Sequence, residues 1–183
     1  MTDKLKVIIK ERELKKRIKK LGEEISRDYR DKNPVLVGIL NGSFIFLADL
    51  IREIKIPHRI DFVSVASYGS GKQTSGAVLV LKDLSINIEG KHVIIVEDII
   101  DSGLTLNYIR NNLLTRSPKS LKIVTLLNKR SRRKIKIPLK YTGFFIPDEF
   151  VVGYGLDYDG NYRNLPYIAQ LSDFISPAIP SGG

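Results

Sequence analysis

Val93–Leu106 reads VIIVEDIIDSGLTL. Its first four residues, Val93, Ile94, Ile95 and Val96, form an unbroken β-branched run of the kind found in a strand covered on both faces. Two adjacent carboxylates, Glu97 and Asp98, follow at once. Asp101, Ser102, Gly103 and Thr105 then make a small polar turn, and Leu106–Leu114 takes up helical spacing. A turn whose N–H groups open onto a helix N-terminus can hold a phosphate. Carboxylates beside it can take hydroxyls or a metal ion. A ligand with a phosphate at one end and sugar hydroxyls nearby suits both halves.

The same alternation extends outward. Val35–Leu40, VLVGIL, is another buried-type strand, followed by the turn Asn41-Gly42-Ser43 and a helix whose apolar positions are Phe44, Leu47, Ala48, Ile51 and Ile54. Such strand-to-helix turns are often mere topology, but in open α/β sheets they are also where ligand loops sit. Glu11–Tyr29 is the clearest helix, with Leu14, Ile18, Leu21, Ile25 and Tyr29 making one apolar stripe. Pro57–Ser67 and Ala77–Lys82 read as strands joined by a polar loop, SYGSGKQTSG. That loop is either an ordinary hairpin or a lid rooted at Tyr68. Leu121–Leu127 is a further buried strand with Lys129 just beyond its end, and Thr142–Ile146 a short one. Strands alternating with helices, with polar turns after buried runs, predict a mostly parallel α/β sheet flanked by helices.

Composition narrows the chemistry. At 183 residues the chain predicts a single domain, and its 43% apolar and 27% charged residues are ordinary for a globular protein. It has no cysteine and two histidines, His58 and His92, which excludes disulfides, thiolate catalysis and a histidine or cysteine metal cluster. No apolar run approaches the ~20 residues of a membrane span, and MTDKLKVIIKERELKK lacks a signal-peptide apolar core, so a cytoplasmic protein is expected. The net charge of +10 suits nucleic acid, an anionic small substrate or a lysine-rich surface. The run Lys15–Lys20 reads as a solvated helix face. The run Lys129–Lys136 is either a basic loop or, at its first residue, part of a site.

VIIVEDIIDSGLTL resembles the phosphoribosyl-pyrophosphate (PRPP) motif of type I phosphoribosyltransferases. LNGS (40–43), SYG (67–69), LLNKR (126–130) and IPDEFVVGYGLDYDGNYRNLP (146–166) resemble, in the right order, the bacterial kind of hypoxanthine-guanine phosphoribosyltransferase, over roughly residues 5–171. The resemblance implies the type I fold: a core over about 34–130 and a small hood built from about 1–12 and 141–175 of one 183-residue domain. It implies magnesium-dependent transfer of phosphoribose from PRPP to hypoxanthine or guanine, giving IMP or GMP and pyrophosphate. A homodimer or homotetramer is implied as well, with no membrane or nucleic acid partner.

Residue by residue, the resemblance assigns Glu97 and Asp98 to the ribose hydroxyls and one magnesium ion, and Asp157 to a second metal contact. Asp101 matches the general base at purine N7, and Ser102, Gly103, Leu104 and Thr105 match the 5′-phosphate cradle. Lys129 matches the donor to purine O6; an ammonium has donors and no acceptor, so it selects a 6-oxo group over a 6-amino group. Phe150 matches the aromatic that stacks on the base, and the Val151 carbonyl an acceptor at its edge. Asn41, Gly42 and Arg163 match pyrophosphate contacts, with Arg133 near the same phosphates. Some members carry lysine in place of Asn41, so contact there rests on amides. A non-proline cis bond is implied after Leu40, and Tyr68 is implied to close over the reaction centre and exclude water. Apart from a plain nucleotide-binding module, which leaves the long polar loop unexplained, two rivals stand beside this reading. A regulator of the same fold that binds RNA or DNA would account for the charge but has no need of Lys129, Phe150 and Asp157. The same chemistry on xanthine or a pyrimidine is the other.

Overall fold

A computed structural model describes residues 5–67 and 78–171. In chain order the elements are β1 (Leu5–Ile9), α1 (Glu11–Asp28), β2 (Val35–Leu40), α2 (Phe44–Glu53), β3 (Arg59–Ser67), β4 (Val78–Lys82), β5 (His92–Ile100), α3 (Leu104–Leu114), β6 (Ser120–Asn128), β7 (Tyr141–Phe145), β8 (Val151–Val152) and β9 (Ile168–Leu171). Six strands form one sheet in the order β4-β3-β2-β5-β6-β7, parallel except for β4, and β1-β9-β8 form a small antiparallel sheet. The mostly parallel sheet expected from the alternation of elements is present. β7 pairs with β6, so the chain from Tyr141 to Phe145 is an edge of the large sheet rather than part of the hood.

Helices cover both faces. The α1 stripe of Leu14, Ile18, Leu21 and Ile25 is sealed against α2 and one face of the sheet, through Leu36, Ile94, Val96, Val124 and Leu126. Leu106, Ile109 and Leu113 of α3 cover the opposite face, over Val35, Val37, Val93, Ile95 and Ile123. This two-sided cover explains why β2 and the first half of β5 are continuous apolar runs instead of alternating ones. Gly22 lets the two helices of the first layer touch: a Cβ there would lie 2.6 Å from Cβ of Glu53. Arg17 ties α1 to the sheet edge, donating through Nε to the Gly143 carbonyl at 3.1 Å and through Nη2 to the Thr142 carbonyl at 2.7 Å.

Asp61 is the buried anchor on the far side of the sheet. Its Oδ1 accepts from the Phe62 N–H at 2.8 Å, and its Oδ2 from the N–H groups of Ser85 and Ile86 at 2.6 and 2.8 Å. Lys82 stands 3.4 Å away. Burial works to raise this carboxyl, but the backbone donors and Lys82 outweigh it and hold the group below its usual value. No helix among the described residues is long and apolar enough to cross a membrane.

Candidate active site

β2 is the strand from which the chain turns both ways: β3 lies on one side of it and β5 on the other. At such a point the loops leaving neighbouring strands diverge and open a crevice at their carboxyl ends. The register shows where it opens. β2 stays paired with β3 as far as Leu40↔Ser64, but with β5 only as far as Gly38↔Val96. β5 continues beyond that point against β6 alone, to Ile100↔Asn128. Glu97 and Asp98 therefore lie inside the strand, not after it as their polarity suggested, and at the point where it parts from β2. β6 supplies the pairing that carries the strand through two charged residues.

The loop after β2 faces them. The Leu40–Asn41 peptide is cis, and a Cβ built on Gly42 would lie 1.7 Å from Oδ2 of Asp98. Gly155, at φ +100°, backs the same loop, since a Cβ there would lie 2.1 Å from the Gly42 carbonyl oxygen. Gly155 donates its N–H to the Arg163 carbonyl at 3.0 Å and accepts from Arg163 Nη1 at 2.6 Å. Arg163 Nη2 pairs with Asp157 at 2.8 Å, and Asp157 also accepts from the Gly160 N–H at 2.8 Å. Residues far apart in sequence, Gly42, Asp98, Asp157 and Arg163, thus converge on one wall. Asn41 lies exposed at the loop's tip.

A buried carboxylate, Glu97, next to a half-buried one, Asp98, is electrostatically costly. Burial, and then the charge of Asp98, pushes the Glu97 carboxyl well above its usual range. Its Oε2 is buried with no hydrogen-bond partner. Burial pushes Asp98 up to about 6, against the pull of backbone N–H donors and Arg163 and with the push of Asp157. This is an oxygen-rich pocket suited to hydroxyl donors or a hard cation.

The turn after β5 opens onto the N-terminus of α3, an arrangement that can hold a phosphate. Gly103 caps α3 at φ +83°, and a Cβ there would meet Ile137 at 2.8 Å, so only glycine fits. The helix begins at Leu104, two residues earlier than its apolar spacing indicates, with Leu104 and Thr105 exposed at its first turn. Ser102 Oγ lies 3.4 Å from the Leu104 N–H, and the Ser102 carbonyl accepts from the Lys134 N–H at 3.0 Å.

The basic run folds back onto this turn. Lys129 is 6% exposed at the end of β6, its N–H donating to the Ile100 carbonyl at 3.0 Å. Arg130 lies over the Phe145 ring at 3.8 Å, and Arg133 Nη2 donates to Asn128 Oδ1 at 2.6 Å. Arg132 reaches Asp148 at 2.7 Å and Asp101 at 3.6 Å. Phe150 meets Tyr158 edge-on, with centroids 5.7 Å apart, and Val151 pairs with Gln170 in the small sheet. Tyr68 lies outside the described residues.

Residues 6–159 match the model of the phosphoribosyl transferase domain. This chain belongs to the phosphoribosyltransferase family. Its relatives include the hypoxanthine phosphoribosyltransferase of Salmonella typhimurium, 53% identical over 173 residues covering 93% of this chain and 97% of that one. The hypoxanthine-guanine phosphoribosyltransferase of Bacillus subtilis is 50% identical over 170 residues, with 93% and 94% covered. The crystal structure of a hypoxanthine-guanine phosphoribosyltransferase from Bacillus anthracis superposes with a TM-score of 0.87 at 49% identity, covering 91% of this chain and 99% of that one.

Several contacts in this phosphoribosyltransferase were not foreseen from sequence. Gly155 reads as one glycine of a glycine-rich stretch, and only its approach to Gly42 shows its part in the wall. Arg132 and Asp148 sit in a basic run and a proline turn, and nothing in their spacing announces a partner 16 residues away. The one available signal was that a run of charge at a strand's carboxyl end faces the crevice.

Proposed function

We propose that this phosphoribosyltransferase is an enzyme of purine salvage that moves the 5-phosphoribosyl group of PRPP onto N9 of hypoxanthine or guanine. The products are IMP or GMP and pyrophosphate. The observation that carries the reading is Lys129: a lysine with only 6% of its surface exposed stands at the end of β6, and its ammonium, which has donors and no acceptor, suits a purine 6-oxo group. A 6-amino group offers only donors there.

In the reaction the N9 lone pair forms a bond to C1′ of the ribose. The C1′–oxygen bond breaks, and its electron pair leaves with pyrophosphate. Asp101 takes the proton from N7. Glu97 and Asp98 accept from the ribose hydroxyls and fix the sugar, so that C1′ faces the base. The N–H groups of Ser102, Gly103, Leu104 and Thr105 hold the 5′-phosphate at the start of α3. Phe150 stacks on the purine and the Val151 carbonyl accepts from its edge. Asn41, Gly42 and Arg163 meet the pyrophosphate. Tyr68 keeps the role that its motif implies, covering the centre against water.

Glu97 and Asp98 would hold one magnesium ion, and Asp157 would make the second magnesium contact. The donors are all oxygens, Glu97 Oε2 has no hydrogen-bond partner, and burial raises both carboxyls of the pair. No cage of three or more acidic, histidine or cysteine groups forms among the described residues. Magnesium commonly binds through one or two carboxylates and takes its remaining ligands from substrate phosphates and water. When bound, magnesium neutralises charge on the departing pyrophosphate. The reading places the enzyme in the cytoplasm as a homodimer or homotetramer.

The test is pyrophosphate release from PRPP and magnesium with hypoxanthine, guanine, xanthine or adenine as acceptor. Hypoxanthine and guanine are expected to support turnover and adenine to be refused. Turnover with adenine, or none with either 6-oxopurine, overturns the reading.

A further inference from the structure

Arg132 touches neither substrate in the reaction above, yet it spans the two loops that do. Its Nε donates to Asp148 Oδ2 at 2.8 Å and lies 2.7 Å from Oδ1. Its Nη1 stands 3.6 Å from Asp101 Oδ2. Asp148 belongs to the turn that leads into Phe150, on the purine side, and Asp101 to the turn that cradles phosphate. The loop carrying Arg132 is itself held on both flanks. Lys129 donates its backbone N–H to Ile100, Lys134 donates its own to Ser102, and Arg133 is bound to Asn128.

This bridge makes the two oxygens of Asp101 unlike. Oδ2 faces a guanidinium, whereas Oδ1 is buried with no hydrogen-bond partner. The accessible part of the carboxylate is therefore on the Oδ2 side, where Arg132 stands. At 3.6 Å the contact on Oδ2 is charge pairing rather than a hydrogen bond. It biases the carboxylate's orientation without capping either oxygen.

We infer that Arg132 is a positioning residue: anchored on Asp148, it holds the Asp101 carboxylate with its accessible side toward the purine N7 proton. The proton passes from N7 to the accessible side of the Asp101 carboxylate as the N9 lone pair attacks C1′, leaving Asp101 a neutral acid and Arg132 still balanced by Asp148. The inference rests on Asp101 being the base proposed above. Because Arg132, Asp101 and Asp148 are all part-exposed, their pairing contributes little to stability, and removing it leaves the fold standing.

Steady-state kinetics of R132A, R132K, D101A and the double variant test this. R132A is expected to lose roughly 10- to 100-fold in kcat, as a misplaced catalytic group does, with KM for PRPP within about twofold of the parent. R132K, which keeps the charge, should recover part of the loss. On the D101A background, R132A should cost nothing further, because the group that it positions is gone. An unchanged kcat in R132A overturns the inference, and so does an equal loss in both backgrounds. Full turnover in D101A would sink the assignment of the base and this inference with it. A crippled D101A beside an intact R132A would sink the inference alone.

Discussion

Replacing Gly42 with alanine probes its close approach to Asp98 in the crevice wall. The new methyl group would lie 1.7 Å from Asp98 Oδ2, where real Cβ contacts stay beyond 3.0 Å, so the gap must open by about 1.3 Å. Neither side yields freely. Asp98 Oδ1 is held by the Ile99 N–H at 2.8 Å, and Gly155 stands behind the loop with its Cβ position 2.1 Å from the Gly42 carbonyl. Overpacking of this kind costs about 1–3 kcal/mol of stability. On the proposed reading this carboxylate holds the ribose, and displacing it by more than 1 Å costs on the order of 100-fold in rate, which is about 2.7 kcal/mol of transition-state stabilisation. The assay is kcat/KM for PRPP at saturating hypoxanthine, with the thermal midpoint measured alongside. G90A is the control: its φ of +65° brings backbone strain, but nothing lies within 4 Å of the added methyl. A folded G42A enzyme within about threefold of the parent, against the two orders of magnitude expected, would refute the reasoning.

Asp61→Asn is expected to cost about 1–3 kcal/mol at neutral pH, because a buried acceptor is exchanged for an amide that cannot satisfy the same donors. Since the folded carboxyl is held below its usual value, its contribution is present above pH ~4 and fades as the pH falls through the folded value. Urea midpoints for parent and variant should therefore converge on acidification, and a constant difference down to pH ~3 would contradict the assignment. Lys129→Gln should relax the preference for 6-oxopurines, because an amide can turn an acceptor toward a 6-amino group; unchanged ratios of kcat/KM for hypoxanthine and adenine would remove Lys129 from that role. Arg17→Ala takes two charge-assisted bonds from the Thr142 and Gly143 carbonyls. A loss of about 2 kcal/mol in urea unfolding is expected, with purine kinetics unchanged; a kinetic effect with no loss of stability would argue against a purely structural tie.

Much of the architecture was legible because its causes are local. β2 occupies Val35–Leu40, where its apolar run lies, and α1 covers the stripe from Leu14 to Ile25, ending at Asp28. Elements whose limits depend on partners were not. β5 runs on to Ile100 through Glu97 and Asp98 because β6 continues to pair with it, and polarity alone cannot report a neighbouring strand. Tyr141–Phe145 joins the large sheet for the same reason. The motif residues could be named from their pattern, whereas the Gly42–Asp98 contact and the Arg132 bridge between Asp101 and Asp148 are products of folding.

The parting of β2 from β5 after Gly38 and Val96 has a bearing on how such an enzyme changes its acceptor. Beyond that point no main-chain ladder joins the segment following β2 to the segments following β5 and β6. On the proposed reading, the leaving group is met by the first and the base by the last. Retuning the enzyme for another heterocycle then requires edits after β6 and around Phe150, while the stretch from Leu40 to Ser43 can be inherited intact. What must be transmitted together is a single pair of positions: a residue at 42 without a side chain, and a carboxylate at 98 to press against it.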